Sequence, residues 1–291
     1  MKQIAQNRAA DMSPAGVARR VHDQVLRALW WRRQVRPGKL GADTLPAGER
    51  QFAAILPAGT AEHVPEDARA AVLEGAERLL RGEWEVLGVV RTDLVQPDWF
   101  RDPVTGRRSV QDRYAFRIDT RSEEQVGNIK QVWEISRLQH LTLLANAWFL
   151  THDERHARRV AEHLRSWWRE NPFLSGVHWT SGIELGIRLI SLAWIRRLLD
   201  EWPGVADLFE HDALALRQIR WHQQYLAAFR GRGSSANNHL IAEAAGQLVA
   251  SCAFPWFPES ERWRRKSALL LERELIRNTF PSGIGRELTS D

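Results

Sequence analysis

From Asn128 onward, apolar residues recur at the spacing of one helix face, segment after segment. Ile135, Leu138, Leu141, Ala145 and Trp148 keep it, and Ala157, Val160, Leu164 and Trp167 repeat it. Ile183, Ile187, Ile190 and Trp194 mark another face, and further helices are expected near 211–230, 238–251 and 259–278. The breaks are short. Thr151-His152-Asp153-Glu154 reads as a capping box opening a helix that Asn171-Pro172 ends. Consecutive amphipathic helices on short loops must bury their faces against one another, which makes antiparallel hairpins around a shared core. A parallel sheet after Asn128 is excluded, because the β-prone runs it needs are missing. No strict repeat is visible, which argues against a short-period solenoid. The fold class is therefore all-α.

Residues 1–127 are less regular and are expected to pack on the helical region of 128–291. Ser13-Pro14 is a good helix start, with Val17, Val21, Val25 and Leu29 as one face. The stretch 38–65 is rich in Gly, Pro and small residues, and a short helix follows near Glu66–Arg81. Residues 83–120 read as loops and short strands, with Trp84–Arg91 β-prone, and are expected to add least to the core.

Composition narrows the function. The single cysteine, Cys252, excludes an internal disulfide and a cysteine-based zinc site. No apolar run reaches the length of a membrane span, and Met1–Gln6 lacks the apolar stretch of a signal peptide, so no membrane partner and a cytoplasmic location are expected, with a periplasmic one left open. The net charge of +5 comes almost wholly from arginine, whose fork suits carboxylate and sulfate. Charge alone does not separate an acidic glycan from nucleic acid. The 14 tryptophans are mostly core residues on this pattern, although tryptophan also lines sugar clefts.

Few motifs bear chemistry. Gly231-Arg232-Gly233-Ser234-Ser235-Ala236 fits a loose dinucleotide pattern, but a helix rather than a strand precedes it, so no nucleotide cofactor is expected. His152 and His156 stand four apart without a glutamate after the first or a third ligand, so no metal is expected there. Glu184 and Glu243 are a candidate carboxylate pair. Glu184 also lies three after Ser181, as in a capping box, and four before Arg188, as in a helical ion pair. Asn238-His239 stands where a polar turn becomes a helix, and by itself fits an N-cap.

Taken in order, Trp133-Glu134-Ile135-Ser136-Arg137, Asn171-Pro172, the Trp179–Arg188 stretch, Asn237-Asn238-His239 with Glu243, and Gly283 with Glu287 resemble the heparinase II/III-like polysaccharide lyases, which include alginate lyases. The resemblance implies an incomplete α/α toroid with a cleft across one end, and cleavage of uronic-acid-containing chains by β-elimination. It implies catalytic roles for Asn238 and His239 and a cleft shaped by Trp179, Glu184, Arg188, Asn237, Glu243 and Glu287. The family's tyrosine acid would follow Asp291, and its C-terminal β-sandwich is not in these 291 residues. On that pattern the chain reads as incomplete, binding acidic oligosaccharide weakly and cleaving it poorly or not at all. A non-catalytic acidic-glycan binder and an α/α-toroid glycoside hydrolase stay open as alternatives, and a nucleic-acid partner is not expected.

Overall fold

The computed structural model describes residues 14–39, 41, 44–231 and 238–285. Helices dominate: α1 Pro14–Trp30, α2 Glu66–Leu80, α3 Glu123–Val126, α4 Ile129–Ile135, α5 Gln139–Thr151, α6 Glu154–Glu170, α7 Gly182–Leu198, α8 Val205–Phe209, α9 Ala213–Ala228, α10 Asn238–Ala253 and α11 Ser260–Asn278. Among the described residues the only sheet is a hairpin, β1 Trp84–Val86 antiparallel to β2 Val89–Arg91.

Side chains start several of these helices. Asp212 accepts from the Leu214 and Ala215 amides at 2.7 and 3.1 Å to cap α9. Asp153 caps α6 by accepting from Arg155 N at 3.0 Å. The expected capping box at Thr151 is not formed: Thr151 is the last residue of α5 and its hydroxyl donates to Ala147 O.

Helices α5 and α6, α7 and α9, and α10 and α11 form successive hairpins. Helices α2, α5, α7 and α10 are neighbours in one layer, and α6 and α9 touch in the other. This is an incomplete α/α toroid. The α7–α10 contact is the most extensive between any two elements. Glycine makes it possible. A Cβ on Gly246 would lie 2.6 Å from the Gly186 carbonyl carbon, and one on Gly186 would lie 2.5 Å from Ala242 O. Gly182 meets Glu243 and Gly186 meets Gly246, so the register rises along both helices together. The starts of α7 and α10 therefore share one end of the bundle.

Two expectations about faces are corrected. On α7 the buried side is Leu185, Arg188, Leu189, Leu192 and Ile195, whereas Ile183, Ile187 and Ile190 are half-buried and Trp194 is exposed. The helix is packed on two sides, and a face chosen by isoleucine spacing picks the looser one. On α1, Val17, Val21, Val25 and Leu29 are all exposed. That helix meets the body through its C-terminal end, where Trp30 packs edge-on to Phe229 at 4.8 Å and Arg27 O accepts from the Tyr114 hydroxyl.

Residues 83–120 contribute more than expected. Trp99 and Phe100 have no exposed surface, and Val86, Leu94, Tyr114 and Ala115 join the main core, which runs from Phe52 to Trp263. Buried Asp102 ties this segment to the toroid by accepting from the Val104 and Asn128 amides, each at 2.9 Å. Period counting misses such a segment because its burial comes from turns, not from a repeating face.

Candidate active site

The α4–α5 corner begins the site. Leu138 adopts φ +63°, a left-handed conformation that costs a branched residue about 1–2 kcal/mol. Complete burial of its side chain holds it there. The corner aims the Ser136 carbonyl and the Arg137 side chain at α7.

Glu184 receives that arginine. Its two oxygens accept from Arg137 Nε and Nη2 at 2.8 and 3.0 Å, and Arg137 Nη1 also reaches Glu134 at 2.6 Å. Of the expected local roles of Glu184, the Ser181 cap is not formed, and Arg188 is paired with it through charge alone, with no hydrogen bond between them among the described residues. The long-range partner wins because the forked geometry satisfies both carboxylate oxygens together.

Arg188 lies beneath, with no exposed surface. Its Nε donates to Ser136 O at 2.6 Å and its Nη1 to His222 Nε2 at 2.9 Å, and its guanidinium sits 4.4 Å over the Trp167 ring. His222 Nδ1 donates to Gln218 O at 2.7 Å, which leaves Nε2 free of a proton to accept from Arg188. His178 Nε2 donates to Trp99 O at 2.8 Å. Burial pushes the Arg188 guanidinium down to about 9 against the opposing pull of Glu184. Burial, with Arg188 nearby, pushes His178 down to about 3 and His222 well below the ordinary imidazole range. The result is an alternating chain of charge, Glu134, Arg137, Glu184 and Arg188, running from the half-buried surface to a core of neutral imidazoles.

Trp179 is also fully covered. It packs edge-on to Phe173 at 5.0 Å and over His222 at 4.6 Å, and its indole donates to Asn171 O at 3.3 Å. The structure thus buries Trp179, Glu184 and Arg188, the residues expected to shape the cleft. None offers surface to a substrate, because each is packed under the end of the bundle, where it fixes the corner of α4–α5 and the start of α7.

What reaches the surface stands on α10. Asn238 is exposed and His239 half-buried in its first turn. Glu243, one turn on, is buried beside Gly182, and burial pushes its carboxyl up to about 7 against the Gly231 N–H and Arg230. Asn237 and Glu287 lie outside the described residues. Sequence reasoning gave no site role to His178, in the short turn before α7, or to His222 and Trp167, which sit on helix faces indistinguishable from core. Arg137 had a signal, since it closes the Trp133–Arg137 motif. Glu77, Asp153 and His156 bring ligand atoms within 4.8 Å of one another. Arg155 already supplies the positive charge there, at 2.7 Å from Asp153 and 2.9 Å from Glu77. No described helix is long and apolar enough to cross a membrane.

Residues 98–291 match the model of the heparinase II/III N-terminus. Over 164 residues the chain is 28% identical to a heparin-sulfate lyase from Pedobacter heparinus, covering 54% of this chain and 24% of that protein. Crystal structures of the heparan sulfate lyase HepC from Pedobacter heparinus superpose at TM-scores of 0.58 for that enzyme and 0.57 for a mutant, each at 20% identity. They cover 98% and 99% of this chain but only 38% and 40% of their own, so the chain spans well under half of these relatives. Matched over residues 98–291 by the N-terminal domain of that family, the chain belongs to the heparinase II/III family of polysaccharide lyases.

Proposed function

We propose that this chain forms the helical wall of a lyase that cleaves a uronic-acid-containing glycan by β-elimination, with Asn238 and His239 at the reacting end. The observation that carries the reading is position. An exposed amide and a half-buried imidazole stand in the first turn of α10, beside the start of α7 and above the fixed charge chain of Glu134 to Arg188.

The chemistry needs such groups. Removing the proton at C5 drives negative charge into the neighbouring carboxylate, which donors must neutralise as it develops. The Asn238 amide and the positive end of α10 supply that field. The His239 imidazole supplies a base for the C5 proton. As C5–H breaks, the C4–C5 double bond forms and the C4–O bond breaks, and the departing oxygen takes a proton. Neither tyrosine of the chain suits that last step. The Tyr114 phenol is pushed up to about 12 by burial and donates to Arg27 O, and burial raises Tyr225 further. The acid is assigned to a group outside the described residues. The relatives are a heparin-sulfate lyase and a heparan sulfate lyase. For this chain the arginine-rich composition supports an acidic glycan.

The test follows ultraviolet absorbance of the unsaturated uronate on heparan sulfate and on alginate. Asn238→Ala should lower kcat about 100-fold or more, with KM changed much less, because the bond strengthens as charge develops. Binding without absorbance would favour a glycan-binding protein, and new reducing ends without absorbance would favour a hydrolase.

A further inference from the structure

One buried group beside Asn238 and His239 has no part in the elimination. Glu243 is only 5% exposed, and it lies one turn beyond His239 on α10. Its Oε2 accepts the Gly231 backbone N–H at 2.6 Å. On the other side its carboxyl rests against Gly182, the first residue of α7, where an added Cβ would come within 2.8 Å of Glu243 Cδ. One turn further along α10, Gln247 Oε1 accepts from Arg230 Nη2 at 2.8 Å and Gln247 Nε2 donates to Gln223 O at 2.9 Å. Two successive turns of α10 therefore grip the chain as it leaves α9.

We propose that Glu243 is a positioning residue: by bonding Gly231 and seating on Gly182, it sets the first turn of α10, with Asn238 and His239, against the start of α7, and it does not touch the glycan. The proposal rests on the lyase reading for its purpose but not for its geometry. A sugar-binding carboxylate needs open oxygens, and Glu243 is closed in by two backbones. What the Gly231 amide requires is an acceptor oxygen, which a neutral carboxamide supplies equally. The carboxyl is held there although burial disfavours its charge. Gly182 is the matching half of the seat, because any side chain there collides with the group it should support.

Acceptor and charge are separable by substitution. In the 291-residue chain, Glu243→Gln keeps the acceptor, Glu243→Ala removes it, and Gly182→Ala pushes it aside. Hydrogen–deuterium exchange of a peptide covering Phe229–Gly231 reads the clamp directly. Losing one such bond should raise exchange of the Gly231 amide about tenfold. We expect that rise in Glu243→Ala and Gly182→Ala, and less than a twofold change in Glu243→Gln. Binding of a heparin oligosaccharide should follow the same order, weakened severalfold in the first two and retained in the third. Unchanged Gly231 exchange in Glu243→Ala would overturn the clamp. Binding lost equally in Glu243→Gln and Glu243→Ala, with Gly231 still protected in Glu243→Gln, would make Glu243 a glycan contact instead. Absence of heparin binding by the unaltered chain counts against the glycan reading, and the exchange result still decides the role of Glu243. If Glu243→Ala does not fold, the Gly182→Ala and Glu243→Gln pair gives the same contrast.

Discussion

Glu184→Ala is the sharpest test of the buried charge chain. The side chain is 3% exposed and accepts two hydrogen bonds from Arg137. Removing it does not leave Arg137 bare, since Glu134 stays at 2.6 Å. The heavier loss falls on Arg188, which is wholly buried and whose stabilising carboxylate is Glu184. Breaking a buried pair by deleting one partner costs about 3–5 kcal/mol. Glu184→Ala should therefore cost about 4 kcal/mol, a large share of the 5–15 kcal/mol that roughly bounds a folded domain. Glu184→Gln keeps an acceptor for Arg137 and should cost about 2 kcal/mol. Arg188→Met removes the charge that needs compensation, so adding it to Glu184→Ala should cost about 2 kcal/mol less than the sum of the single changes. Urea unfolding at pH 7, followed by fluorescence of the buried tryptophans, measures all of these. A Glu184→Ala cost below about 1 kcal/mol, or strict additivity with Arg188→Met, would refute the view that the two charges hold each other in the core.

Acid should unfold this protein early. Burial holds His163 down to about 4, His178 down to about 3, and His140 and His222 well below the ordinary range. An unfolded histidine takes its proton near pH 6.5. Between that value and the folded ones the unfolded chain binds more protons, so stability is full above pH 6.5 and falls as pH drops. A pH series of Tm should decline steeply from about pH 6.5 to 4.5, and a flat profile would show that these rings are not desolvated. Glu243 has the opposite sign: its raised carboxyl favours the fold below the unfolded value of 4.5, and that advantage is lost as pH rises through about 7. Glu243→Gln should therefore steepen the acid decline, visible in the same series. Gly246→Ala should destabilise by about 2 kcal/mol in urea unfolding, because its Cβ meets Gly186 backbone. Gly285→Ala, with nothing within 4 Å, is the neutral control.

The sequence made the hairpin architecture legible because helices α5 and α6 carry clean faces: Leu141, Ala145, Trp148, Ala157, Val160, Leu164 and Trp167 are all buried. It failed where burial is two-sided, as on α7, or carried by turns, as at Trp99 and Phe100. The α10 start and the Glu184–Arg188 motif stood out by residue type and order. What each does was hidden, because local rules offered Glu184 two near partners while its fork-shaped partner lay across the α4–α5 corner. No periodicity predicts a contact between residues 47 apart. The neutral histidines beneath were hidden for the same reason, since His222 occupies an ordinary helix position until Arg188 is placed against it.

The Gly186–Gly246 crossing also sets a curvature. Where two helices of one layer meet backbone to backbone, they approach more closely than side chains elsewhere allow. A two-layer stack whose successive units are pinched on one side must bend toward that side, as wedge-shaped stones make an arch. The paired glycines are the narrow edge of the wedge. Larger residues at both positions would thicken that edge and flatten the arc, opening the span between the first and last hairpins while leaving each hairpin intact. The bend of the layer at this crossing is thus written into two missing side chains.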